Sequence, residues 1–334
     1  EEPTRTFSAI FKPTKDISLF YNFSDVLISA SSLFTDIYDK YVDGTIGETK
    51  DFGVRWSAME GKLVTSLSVF ETSAQNQRES NVRNSFHPEM TDMWTVIDPE
   101  GEIHKGFNER FVTLRNDTSE GYELSVIANL APGWSTRLSV STIETLITNR
   151  LPIVDQYIAE FSPLWEANRN LPLSESDANA PNYLTVGDAL DEVYRVIRDL
   201  HALEGTVPSA QRDWKVVFNT NYNFRDGALE GFGIGGGVRW QSEDIVGYAV
   251  DENNIVDPDN PFYGEELLNV SGNVSYTTTI KGTYVRFQLN VNNLFDKSGT
   301  FARSAVDDLT GNPYYGRQQV REPRSLFFTT TIKF

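Results

Sequence analysis

Cysteine is absent from the 334 residues, histidine occurs only three times, and the formal net charge of −18 leaves no excess of cations. The first absence removes disulfides, thiolate nucleophiles and thiolate metal sites. The second leaves little imidazole chemistry: His87, His104 and His201 follow no recurring ligand spacing, so no catalytic residue, metal site or cofactor is expected. The third argues against a nucleic-acid partner, which requires a basic footprint for phosphate. Long apolar runs are missing as well. Hydrophobic residues make up 39% of the chain, and none of their runs approaches the roughly 18–20 residues of a membrane-spanning helix. The opening Glu1-Glu-Pro-Thr4 is neither basic nor apolar, so no signal peptide is expected, and an exported protein would be represented by a mature chain or a fragment.

What the chain has instead is alternation. Over residues 283–293, Val285, Phe287, Leu289 and Val291 fall on one face of a strand, and Tyr284, Arg286, Gln288, Asn290 and Asn292 on the other. The second face is too polar for burial and must meet water. Trp214, Val216, Phe218, Thr220 and Tyr222 oppose Lys215, Asn219, Asn221 and Asn223 in the same way. The last eleven residues place Leu326, Phe328, Thr330, Ile332 and Phe334 on one face, so the sequence ends inside an aromatic-closed strand. The template predicts about eleven strands near residues 5–12, 17–24, 49–58, 62–77, 118–130, 134–146, 212–224, 231–242, 267–277, 283–293 and 324–334. Short and long connections alternate between them. Transmembrane barrels have short periplasmic turns and long extracellular loops, whereas a soluble sandwich, the competing architecture, has no reason to put every long loop at one end. On this basis Phe11, Ile17, Trp134, Phe224, Phe232 and Tyr284 would form an inner aromatic girdle, and Phe23, Phe52, Tyr122, Trp214, Trp240 and Phe328 an outer one. An odd strand number would leave edges unpaired in lipid, so the sequence is expected to be part of a larger barrel.

Certain short segments resemble the C-terminal end of TonB-dependent outer-membrane transporters. They are Asn292-Asn-Leu-Phe-Asp-Lys297 closing a strand, Tyr314-Tyr-Gly316 in the next loop, and Glu322-Pro-Arg324 opening the last strand. Gly231-Phe-Gly-Ile-Gly-Gly-Gly-Val-Arg-Trp240 is similar to the glycine-rich strand of the ferric-siderophore branch, and Phe11-Lys-Pro13 with Ile17-Ser-Leu-Phe-Tyr21 to a mid-barrel hairpin. The resemblance implies an all-β, antiparallel transmembrane barrel of about 22 strands, of which residues 1–334 would be the C-terminal portion. It further implies location in the bacterial outer membrane, a plug domain not contained in this sequence, the TonB complex as energy source, outer-membrane lipid and the barrel assembly machinery as partners, and a ferric siderophore as cargo. Oligosaccharide or cobalamin-like cargo, a passive channel and an adhesive barrel are the alternatives.

Residues 147–211 form a link longer than an ordinary loop and are read as a partly helical extracellular insertion. Thr185 and Asp188 are spaced as a capping box, Val186, Ala189, Leu190, Val193, Ile197 and Leu200 repeat at helical spacing, and Gly205 ends the segment. A second helix over residues 153–168 is expected to be interrupted at Pro163. The two would pack on each other as a cap, with a functional role as a lid over the mouth. Substrate-stacking aromatics are expected at Tyr38, Tyr41, Trp94, Trp165, Tyr183, Tyr248 and Tyr263. The acidic stretch 251–260 reads as a solvated loop. Lumen- or plug-facing residues are expected at Arg55, Arg137, Asn219, Asn221, Arg239, Arg286, Gln288 and Asn290. Gly233, Gly235 and Gly237 would form a bare stripe for close approach of plug backbone. Phe328, Ile332 and Phe334 are assigned to assembly and membrane anchoring.

Overall fold

Backbone at positive φ marks four of the five tight reversals that divide the sequence into hairpins. In the computed structural model, which describes residues 4–28, 34–79, 82–104, 107–173 and 185–333, Lys281 (φ 50°) and Gly282 (φ 83°) form a two-residue reversal. A turn with both central residues at positive φ matches the right-handed twist of the strands it joins. Tight turns connect β1 (Thr6–Phe11) to β2 (Ile17–Ile28), β3 (Thr45–Ala58) to β4 (Leu63–Glu79), β5 (Thr113–Ala131) to β6 (Trp134–Thr142), β8 (Trp214–Asn223) to β9 (Phe232–Gln241), and β12 (Leu267–Ile280) to β13 (Thr283–Asn292). The longer links hold β7 (Glu144–Thr148), the hairpin of β10 (Ile245–Val250) and β11 (Val256–Tyr263), and that of β14 (Thr300–Asp307) and β15 (Pro313–Val320). They also hold three helices: α1 (His87–Ile97), α2 (Pro152–Ala167) and α3 (Val186–Ala202). The last described strand is β16 (Ser325–Lys333).

One antiparallel sheet runs β1-β2-β3-β4-β5-β6-β8-β9-β12-β13-β16, with β7 also paired to β5. β6 and β7 occupy one lane, because Glu123↔Ser141 and Glu120↔Glu144 keep the same register on β5. The break between them falls at Ile143, whose N–H turns away to the carbonyl of Asp213. Each of the eleven predicted strands therefore has a lane, and β1 and β16 are the edges of an open, partial barrel.

Register places apolar residues in unbroken rows. Trp134, Tyr222, Ile234, Val274, Leu289 and Phe328 are successive partners across six strands, and all six are exposed. A continuous apolar row of this length belongs against hydrocarbon, not water. Tyr21, Phe52, Val69 and Tyr122 form a similar row nearer the long loops, and one step further out the same face carries Phe23 on β2 but Lys50, Glu71 and Glu120 on β3, β4 and β5. The switch from aromatic to charged side chains marks the outer edge of the lipid-facing band. One girdle residue is misplaced by the sequence reading: Tyr284 pairs with Thr279 and Lys333 and shares the inner face with Arg286. Because side chains alternate strictly, its position at a strand end does not turn it to lipid. Phe328 and Ile332 lie on the outer face, paired with Leu289 and Val285; Phe334 is outside the described residues.

Above the sheet, the long links condense into a helical cap. Thr185 and Asp188 form the expected capping box, with Asp188 N–H to Thr185 Oγ1 at 3.2 Å and Thr185 N–H to Asp188 Oδ2 at 3.0 Å. Pro163 does not interrupt α2, which runs unbroken through it. A proline costs a helix one hydrogen bond, and here Tyr157 and Trp165, buried on either side of it, hold the helix to the core. α1 arises in the link between β4 and β5 and was not foreseen. The acidic stretch 251–260 is also more ordered than expected, since Asp251 accepts the N–H groups of Asn253 and Ile255 at 2.8 Å and so turns β10 back into β11.

Candidate functional site: the inner wall and the cap

The inner face of β8, β9, β12 and β13 is a polar sheet of amides. Asn221, Gly235, Asn273 and Asn290 form one row of partners; Asn223, Gly233, Ser275 and Gln288 form the next. Asn219 and Gly237 extend the pattern, and Arg137 on β6 joins it opposite Asn219. The sequence-predicted residues Asn219, Asn221, Gly233, Gly235, Gly237, Arg239, Arg286, Gln288 and Asn290 are thus brought together on one wall. Arg55 stands apart on β3, between Ser18 and Ser66. Ser271, Asn273 and Ser275 belong to the wall and went unremarked in the sequence, although the same alternation with Val270 and Val274 marks them.

The glycine stripe is not bare. A Cβ on Gly235 would lie 2.5 Å from Asn221 Oδ1 and 2.7 Å from Asn273 Nδ2, and one on Gly233 would lie 2.7 Å from both Asn223 Oδ1 and Ser275 Oγ. Flanking polar side chains lean into the space the glycines vacate, so the stripe makes room first for its own neighbours. The resulting surface keeps polar groups in reserve. Gln288 Nε2 donates to Asn290 Oδ1 at 2.7 Å and Arg286 Nη2 to Ser275 Oγ at 3.2 Å, while Asn273 Oδ1 and Arg286 Nε are enclosed with no hydrogen-bond partner among the described residues. Enclosed polar atoms of this kind are costly unless something else bonds them.

Two of the aromatics expected to stack on solute are instead core residues. Trp94 is 2% exposed and Trp165 fully buried; their rings meet edge to face at 5.4 Å, and Trp94 stacks on His104 at 4.6 Å. Both lie on helices whose apolar faces close over them with Met90, Met93, Tyr157, Val186, Leu190 and Val193, and helix amphipathicity outweighs loop position in deciding where a tryptophan goes. Tyr248 is buried on β10, its hydroxyl donating to the Val207 carbonyl at 3.4 Å. Tyr38 is half-buried against Tyr157 and donates to Glu160 at 2.9 Å; burial and that carboxylate push its pKa up to about 12. Tyr183 lies outside the described residues. Tyr41 and Tyr263 remain exposed.

Ion pairs tie the cap to the sheet. At the end of β4, Glu79 accepts from Arg150 Nε and from Arg115 Nη1, each at 3.0 Å. Arg150 also donates to the Leu200 carbonyl at the end of α3, and its backbone N–H to Glu204. His201 bridges Asp155 on α2 (2.9 Å) and Glu204 (2.8 Å). Burial works against a charged imidazole there, but the bonds to Asp155 and Glu204 outweigh it and raise the His201 pKa above its ordinary 6.5. A folded pKa above the unfolded one means that this contribution is complete below pH 6.5 and is lost as pH rises through the folded value. The cap should therefore resist protease better at about pH 5.5 than at about pH 8.5, and His201→Gln should flatten that difference. An unchanged pH dependence in the variant would show that other groups set it.

A sequence model of the family described as TonB dependent receptor-like, beta-barrel matches residues 4–294. The ferripyoverdine receptor of Pseudomonas aeruginosa is 21% identical over 326 residues, a span covering 98% of this chain and 30% of the relative. Among solved structures, the ferripyoverdine receptor of the Pseudomonas aeruginosa outer membrane bound to ferripyoverdine aligns with a TM-score of 0.59 at 18% identity, over 97% of this chain and 32% of that one. The ferric preacinetobactin receptor from Acinetobacter baumannii aligns at 0.56 and 11% identity, over 99% and 36%. The likeness to these structures is one of fold. This chain spans about a third of the length of the relatives it matches.

Proposed function

Because this chain belongs to the TonB-dependent receptor family, through its outer-membrane β-barrel, we propose that it serves the active import of a ferric siderophore across the outer membrane. One observation carries the reading: the same strands that expose an apolar row to lipid present a continuous wall of asparagine, serine, glutamine and arginine to the lumen. Such a wall suits a water-filled path or a polar domain lodged within it. Asn273 Oδ1 and Arg286 Nε, which find no hydrogen-bond partner among the described residues, support the same view, since a plug domain would supply those bonds. Energy would come from the TonB complex acting through that plug, and Phe328 and Ile332 would help to seat the barrel in lipid. The siderophore assignment draws on the relatives, which are receptors for ferripyoverdine and ferric preacinetobactin. Import rather than catalysis is the role that a polar lumen and a lipid-facing girdle serve.

Uptake of radiolabelled iron chelates by cells expressing the full receptor tests the reading. Uptake should require both the receptor and TonB. Growth on a polysaccharide that depends on the receptor, with no response to iron limitation, would overturn the siderophore assignment, and iron uptake that persists without TonB would overturn active transport.

A further inference from the structure

At the extracellular ends of β9, β12 and β13, beside the β14–β15 hairpin, lies a cleft of about 500 Å³. Arg239, Gln241 and Asn269 reach it from the inner face of the sheet, with Asn292 at the end of β13. Lys297 and Arg321 come from the link between β13 and β16. The cleft is built rather than incidental. Asn293 is buried at φ 49° and fixes that link by donating from Nδ2 to the carbonyls of Lys297 (3.1 Å) and Glu322 (3.0 Å) and accepting the Lys297 N–H (3.0 Å).

The charge of this place inverts that of the chain. The protein carries a net −18, yet the lining holds Arg239, Lys297 and Arg321 against one acid, Glu322. Arg321 is committed elsewhere, since it pairs with Glu265 and lies over the Phe301 ring at 5.3 Å. Arg239 and Lys297 have no ion-pair partner among the described residues. Around them stand the side-chain amides of Gln241, Asn269 and Asn292, which can donate to the remaining oxygens of a bound anion. With Arg321 taken by Glu265, a guanidinium and an ammonium face one cleft against the single carboxylate of Glu322, a net positive place where a bound anion can accept charge-assisted hydrogen bonds, which are the strong ones.

We propose that this cleft receives an anionic group of the cargo, so that the receptor selects iron chelates of net negative charge over neutral ones. The proposal rests on the import reading above, and deepens it by assigning a charge to the substrate and two residues to its recognition. Arg239 clamps carboxylate or catecholate oxygens and Lys297 supplies a point charge beside it.

The test uses the full receptor with its plug, purified in a non-ionic detergent so that no lipid phosphate competes. Equilibrium binding is measured for an anionic tris-catecholate iron complex, a neutral tris-hydroxamate iron complex and a uronate oligosaccharide. Arg239→Gln with Lys297→Gln should weaken binding of the catecholate complex by about tenfold or more and reduce its salt dependence. The hydroxamate complex should be unaffected, and Arg239→Lys with Lys297→Arg should restore much of the loss. Uronate binding that depends on these two residues, with no iron complex bound, would keep the anion site and remove the iron reading. Catecholate binding that ignores the double substitution, equal losses for both iron complexes, or binding of neither anionic probe would overturn the site.

Discussion

Glu79→Leu should loosen the cap from the sheet by about 3–5 kcal/mol, the cost of leaving a buried charge without its partner. The acid stands where β4 leaves the sheet and holds the guanidinium of Arg150, which is itself buried and reaches on to the Leu200 carbonyl. Arg115 would keep a second acid, Asp117, at 2.9 Å. Among the described residues Arg150 would keep no carboxylate for its guanidinium, so the loss falls on the contact that joins β4 to the end of α3. The measurement is the protease susceptibility of the link between β7 and β8, followed with denaturant. Glu79→Leu combined with Arg150→Met should recover much of the loss, because the pair is then replaced by apolar groups instead of being broken. Equal susceptibility in the single and parent proteins would show that the cap is held by its apolar core alone.

Trp165→Ala should cost about 3–5 kcal/mol in the same region, from lost apolar contact and the cavity left behind. The indole is fully buried and meets the rings of Trp94, Tyr157 and Phe161 at 5.4, 6.2 and 6.4 Å. Since those rings come from two helices in different links, removing the one beneath them should release α1 as well as α2. Protection of α1 backbone amides from hydrogen exchange is the readout. Loss confined to α2 would mean that the helices are stabilised independently.

The sheet was legible in the sequence because its signal is local. Alternation over Thr283–Asn292 needs no knowledge of neighbours, and the lipid on one side with polar lumen on the other keeps it clean. Trp94 and Trp165 were misread for the opposite reason. Their burial depends on α1 and α2 meeting across links far apart in the chain, a contact that periodicity within either segment does not contain. α1 was hidden by weak amphipathicity and by His87-Pro88 at its start, where proline serves as a first-turn residue and not as a breaker. The wall residues on β8, β9 and β13 followed from register, while Lys297 depends on Asn293 at positive φ, which a strand template does not reach.

The cap core draws Ile37 from the link after β2, Phe86 and Phe111 from the link after β4, and Leu151, Trp165 and Leu190 from the link after β7. A body moored at several points has no single hinge about which to swing. Its assembly is costly too: strands β2 to β7 lie between those segments, so closing the cap carries the loop-closure entropy of bringing distant links together. An intact cap therefore reports on the order of the strands beneath it, and a protease that cuts only where the helices have failed to close would read it.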